Sequence, residues 1–308
     1  MKQRPLLGFS LALLATSMWG AVPIAVQKVL TVLDPTTIVW YRFLVAGLGL
    51  LVILGLTKKL PKLTNLSFRQ YKWILFGILG LSGNFFLFSS ALQYISPTTT
   101  QVLSQLSPFI MMIVSVLLFR ESFGLHQKIG LILLVVGLVT FFHQQFEEIL
   151  QLGDYALGIL FGIGASSIWV LYGISQKLLL ARFSSQQILF IIYIGCAIVF
   201  SGFATPSQFG ELDGFTLGCF IFCCINTLIG YGAYAEALNN WDASKVSAIT
   251  VLIPIFTMLF SNIGYYSFPA IFENPEMNFL SYVGAFIVVS GTILSVLGHK
   301  LIKKNRIK

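Results

Sequence analysis

Charge is what this chain has least of. Only 11 Asp or Glu and 19 Lys or Arg occur among 308 residues, 10% in all, where a soluble domain carries roughly 25%. That scarcity excludes an ordinary water-soluble globule. Histidine is scarcer still, with only His126, His143 and His299, far apart. No H-E-x-x-H, G-x-S-x-G or G-x-x-x-x-G-K-[ST] occurs, so zinc hydrolases, serine hydrolases and ATP-driven machines are set aside. The four cysteines, Cys196, Cys219, Cys223 and Cys224, show no zinc spacing and no neighbouring His. They read as small apolar packing residues. The chain is therefore not expected to be an enzyme, and no metal or cofactor is expected.

Apolar residues fill the gap. They make up 56% of the chain, with a mean hydropathy of +0.87. Uncharged windows cover 5–27, 73–119, 129–146, 155–176, 183–210, 214–235, 246–272 and 277–299, and 35–57 is broken only by Arg42. A spanning helix needs ~20 such residues. The window 73–119 divides at Ser96-Pro97, because the residue before proline is pushed out of the helical region. The expectation is an all-α polytopic membrane protein of ten transmembrane helices, with the lipid bilayer as its surroundings.

Lys and Arg orient it. With the N-terminus inside, 17 of the 19 fall on the cytoplasmic side, leaving Lys28 outside and Arg42 within the membrane. This is the positive-inside bias, and it places both termini in the cytoplasm. It also accounts for the net charge of +8 without a nucleic-acid partner.

The chain repeats itself. ALQYISPTTTQVLSQLSP at 91–108 aligns with ALNNWDASKVSAITVLIP at 237–254, at an offset of 146. Trp19 pairs with Trp169, Gln27-Lys28 with Gln176-Lys177, and Gly130 and Gly137 with Gly284 and Gly291. The halves run over 8–141 and 155–298. Each holds five helices, and since five is odd, the second enters the membrane upside down. Inverted repeats of this kind place a site at their interface near the bilayer midplane.

Candidate site residues follow from polarity at depth. On the fourth helix Pro97, Gln101, Ser104, Gln105 and Pro108 share one face. A polar stripe turns away from lipid, toward a cavity or toward neighbouring helices. Pro108 and Pro254 each lie about 15 Å deep by helical rise, and each removes one backbone hydrogen bond. They are the expected kink or gating points, freeing the carbonyls of Ser104 and Thr250. Arg42 has two readings: its guanidinium snorkels outward, or it recognises an anionic group such as a carboxylate. Trp19, Trp169, Asn84, Asn226, Tyr172, Tyr231 and Tyr234 complete the list of cavity candidates. Glu236, one turn from an inner loop, reads as a solvated surface charge.

The stretches SMWGAVPIAVQKVL, WYRFLVAG, ALQYISPTTTQVLSQLSPF and LLFRESFGLHQKIGLILLVVGL resemble the drug/metabolite transporter superfamily, EamA type, over almost the whole chain. The resemblance implies a secondary transporter in the bacterial inner membrane, often an exporter, with a small-molecule substrate such as an amino acid. Import of the same solutes, or a scaffold or insertion factor without transport, are the rival readings.

Overall fold

The computed structural model describes residues 4–119, 124–275 and 277–304. Among them the protein is all helical. In chain order the helices are α1 (Pro5–Val29), α2 (Pro35–Leu56), α3 (Phe68–Ala91), α4 (Pro97–Ser104), α5 (Leu106–Phe119), α6 (Leu125–Phe141) and α7 (Phe146–Leu150). There follow α8 (Asp154–Leu179), α9 (Ser185–Phe200), a 3-10 turn (Pro206–Glu211), α10 (Gly214–Asn240), α11 (Ala243–Thr250), α12 (Ile253–Ser267) and α13 (Phe279–Lys304). Among the described residues, 7 stretches are long and apolar enough to cross a membrane: α1, α2, α3, α8, α10, Lys245–Ser267 and Phe279–Gly298. Leu125–Phe141 and Ser185–Phe200 are apolar but shorter.

Polar residues cap the starts of several of these oily helices. Ser67 caps α3 and Ser184 caps α9, each reciprocated by a glutamine three residues on, the capping-box arrangement. Asp34 precedes Pro35 and accepts from the Thr37 amide at 2.9 Å, so α2 starts with a cap and a proline at its first position. Partial burial pushes the Asp34 carboxyl up, but hydrogen bonds from Thr36 and Thr37 outweigh it and hold it below the usual carboxylate value. The 3-10 segment docks on this corner. Gln208 Oε1 accepts from the Asp34 amide at 3.1 Å, and the Thr205 amide donates to Thr37 Oγ1 at 2.8 Å.

Helix pairs form the body: α3 packs on α8, α1 on α10, α2 on α9 and α6 on α13. Close approach depends on missing side chains. A Cβ at Gly80 of α3 would lie 2.5 Å from the Tyr172 amide nitrogen of α8. One at Gly284 of α13 would lie 2.4 Å from the Phe141 nitrogen of α6. Backbone cannot yield to such contacts, so these crossings require glycine. The largest apolar core gathers Phe43, Leu81, Ile192 and Tyr193, where α2, α3 and α9 meet. Cys196, Cys223 and Cys224 are buried among the helices, and Glu236 is exposed, accepting from Asn239 and Asn240.

Candidate functional site

Two helices are interrupted in mid-course. Between α4 and α5 the chain breaks at Gln105, and between α11 and α12 it breaks at Val251 and Leu252. Pro108 has no N–H to offer the Ser104 carbonyl, and Pro254 none for Thr250. The first break is stitched to α8: Ser166 Oγ donates to the Leu103 carbonyl at 2.9 Å, and Ser107 Oγ to the Ser166 carbonyl at 3.1 Å.

A third proline, Pro23, sits inside α1. It leaves the Trp19 carbonyl without its helical donor. Gln101 Nε2 of α4 supplies one, at 3.0 Å. The carbonyls on either side are reached as well. Asn226 Nδ2 of α10 donates to Met18 at 2.6 Å, and Thr257 Oγ1 of α12 donates to Gly20 at 2.8 Å. Three successive carbonyls of α1 are thus held by side chains from three other helices. Across the molecule, Asn84 Nδ2 of α3 donates to the Ala165 carbonyl of α8 at 2.9 Å.

These helices surround a cavity of about 490 Å³, within the range of small-molecule sites. Trp19, Arg42, Asn84, Gln101, Ser104, Gln105, Trp169, Tyr172, Asn226, Tyr231 and Tyr234 all line it, so it collects every cavity candidate picked from polarity at depth. Pro108 lines it too. Pro254 is buried and does not, though Thr250, Val251 and Ile253 beside it do. The cavity runs from buried Thr100 and Gln101 to Leu180 and Leu238, both exposed. It therefore opens at the end of the molecule that carries Lys177 and Ser185.

Arg42 is 5% exposed. Its Nε donates to Thr227 Oγ1 at 3.1 Å, and its guanidinium carbon stands 4.5 Å from the centre of the Phe85 ring. That is a cation–π contact. Among the described residues, no carboxylate lies within salt-bridge distance of it. The guanidinium therefore does not reach for the surface; it is held in the wall with its charge unpaired.

Two other groups in the cavity wall are unsatisfied. Gln105 Oε1 and Trp19 Nε1 are buried without a hydrogen-bond partner. The contrast with Gln101 is sharp, since Gln101 spends its amide on Trp19 and its Oε1 on Ser104 Oγ at 3.1 Å. Aromatic rings complete the wall. Trp19 meets Tyr231 at 5.1 Å and Tyr234 at 5.3 Å between centroids, and Trp169 meets Tyr172 at 6.2 Å. Sequence reasoning missed Thr227, Phe85 and Thr257. Thr227 had a signal: it and Asn226 are the two residues with an amide or hydroxyl side chain in the apolar run FCCINTLIG.

Comparison with known proteins adds the context. A model of the "EamA-like transporter family" matches residues 6–142 and again 156–297. The chain is 54% identical to an "Uncharacterized transporter" of Haemophilus influenzae over 303 residues, 98% of both chains. It is 47% identical to the "Uncharacterized inner membrane transporter YhbE" of Escherichia coli over 305 residues, 98% of this chain and 94% of that one. A solved crystal structure shares the fold with a TM-score of 0.64 at 16% identity, covering 97% of this chain and 98% of the other.

Proposed function

From the premise that the chain belongs to the EamA-like transporter family, a multi-pass membrane protein, we propose that it exports small organic solutes by alternating access about this cavity. The observation that carries the reading is Arg42. A buried guanidinium without a carboxylate partner costs free energy unless something supplies the anion. Here it lines a cavity of small-molecule size whose wall also holds Gln105, with a buried amide oxygen that has no partner. A solute carboxylate completes that site.

The same reading takes the chain as ten spans in two inverted repeats, 8–141 and 155–298. The breaks support it. α4 and α11 each have eight residues, and Pro97 and Ser104 fall on Ala243 and Thr250 at the offset of 146. The packing supports it too. Exchanging the halves turns α1 on α10 into α8 on α3, and α2 on α10 into α9 on α3, and all four contacts occur. The cavity opens at the end bearing Lys58, Lys59, Lys177 and Arg182, which the positive-inside bias makes cytoplasmic.

The test is the composition of the medium. Cells overproducing the chain are compared with cells carrying Arg42→Gln at matched membrane abundance, by untargeted profiling of small molecules outside the cell. A class of carboxylated solutes raised several-fold by the native chain alone is the expected result. Equal profiles would remove Arg42 from substrate recognition.

A further inference from the structure

The buried titratable lining of the cavity is one-sided. It holds Arg42, with Tyr172, Tyr231 and Tyr234 also in the wall, while Lys177 stands exposed at the opening, where water screens its charge. No carboxylate, imidazole or thiol is among the lining residues. Among the described residues, no group of three or more acidic, His or Cys side chains is placed to hold a metal ion.

Two consequences follow. The first concerns net charge. In a low-dielectric wall a guanidinium is neutralised by a net anion. A zwitterion carries its own ammonium into the cavity, where no acidic side chain waits for it, and leaves one positive charge over. A cation leaves two. The second concerns energy. A proton-coupled carrier needs a group that loses and regains a proton near neutral pH, and carboxylates and imidazoles supply that. The cavity lining has neither.

We infer that the solutes are net organic anions with a flat apolar body, and that their export is driven by the membrane potential itself, without proton exchange. This rests on the transporter reading above. The body fits against Trp19, Trp169 and the three tyrosines and the carboxylate at Arg42, and a donor group meets Gln105 Oε1 once that buried amide turns toward the cavity. The cell interior is electrically negative, so an anion moves outward downhill. A potential of 100 mV sustains an about fifty-fold gradient of a monovalent ion. Export then needs no further energy source, and a site without a proton carrier suffices.

The experiment uses the purified full chain and three probes sharing one phenyl body: phenyllactate, an anion; phenylalanine, a zwitterion; and phenethylamine, a cation. Quenching of tryptophan fluorescence reads binding, since Trp19 and Trp169 line the cavity. Phenyllactate should bind about ten-fold or more tightly than either of the others. In vesicles clamped by a potassium diffusion potential, phenyllactate should accumulate at least about ten-fold more with the interior positive than with it negative. A pH gradient at zero potential should change nothing. Arg42→Gln should abolish the preference for the anion. Arg42→Lys keeps the charge and should retain the dependence on voltage, which separates loss of charge from loss of folding.

Stronger binding of phenylalanine or phenethylamine would overturn the inference, as would phenyllactate flux that follows the pH gradient and ignores voltage. Absence of binding by all three to a folded protein would overturn it as well. Such a result would leave the transporter reading standing or falling on the medium profiles alone.

Discussion

At the scale of single residues, the useful distinction is between polar groups already spent and polar groups still open. Gln101 and Gln105 sit one turn apart on the same stripe, and from polarity they are equivalent. In the folded chain they are not. Gln101 is bound at both ends of its amide, to the Trp19 carbonyl and to Ser104. Gln105 keeps a buried Oε1 with no partner. Gln101→Ala therefore strips the donor from a buried carbonyl and should cost about 1–3 kcal/mol of stability. Gln105→Ala breaks no hydrogen bond through that oxygen and should cost under about 1 kcal/mol on the same reasoning. Transport should fall in both, with Gln105→Ala showing weaker substrate binding at an unchanged melting temperature. Melting in detergent beside flux in vesicles separates them. Equal melting losses in the two variants would mean that both glutamines only hold helices together.

At the scale of elements, proline chemistry sets where the helices yield. Pro108 and Pro254 were conspicuous in the sequence because they punctuate two aligned stretches. Pro23 was not, because α1 runs through it and an isolated proline among apolar residues shows no sign of its helical neighbours. Its effect depends on Gln101, 82 residues from Trp19 in the chain, and no local pattern reports that. The residues lining the cavity were legible because polar groups in an apolar window have few places to go other than inward. Their partners were not, because a hydrogen bond between helices depends on the crossing geometry. Crossings such as that of α3 and α8 are set by glycines that touch backbone. Pro23→Ala tests the role of the α1 interruption. It restores an N–H that competes with Gln101 for the Trp19 carbonyl, and it removes a residue that disfavours helix interiors by about 3 kcal/mol. The variant should melt higher and transport more slowly, by several-fold, the usual exchange of mobility for stability. A stabilised variant with full flux would show that α1 moves as a rigid rod.

At the scale of the whole molecule, the cavity is open at one end and shut at the other, and under the proposed alternating access the shut end is where the halves part. There α1 and α3 finish side by side, with Gln27 Nε2 donating to the Leu92 carbonyl at 3.4 Å. The hydrogen bond is long, and around it Leu92 packs in an apolar cluster with Val22, Val26 and Val29 of α1, a joint held mainly by apolar contact. The carbonyls of Met18, Trp19 and Gly20 lie deeper on α1 and are held by three different helices, so an outward movement of α1 must release or carry all three partners together. Alternating access thus makes a definite demand on the Gln27–Leu92 corner. Cysteines introduced as Gln27→Cys and Leu92→Cys, in a chain whose native cysteines are changed to alanine, can be joined by a short reversible bifunctional thiol reagent. Cross-linking should cut flux at least about five-fold, reduction should restore it, and solute should still bind through the open end. Such a result would mean that binding and release use opposite ends of one cavity. Full flux in the cross-linked protein would place the moving joint elsewhere, with α1 and α3 travelling as one body past α8 and α10.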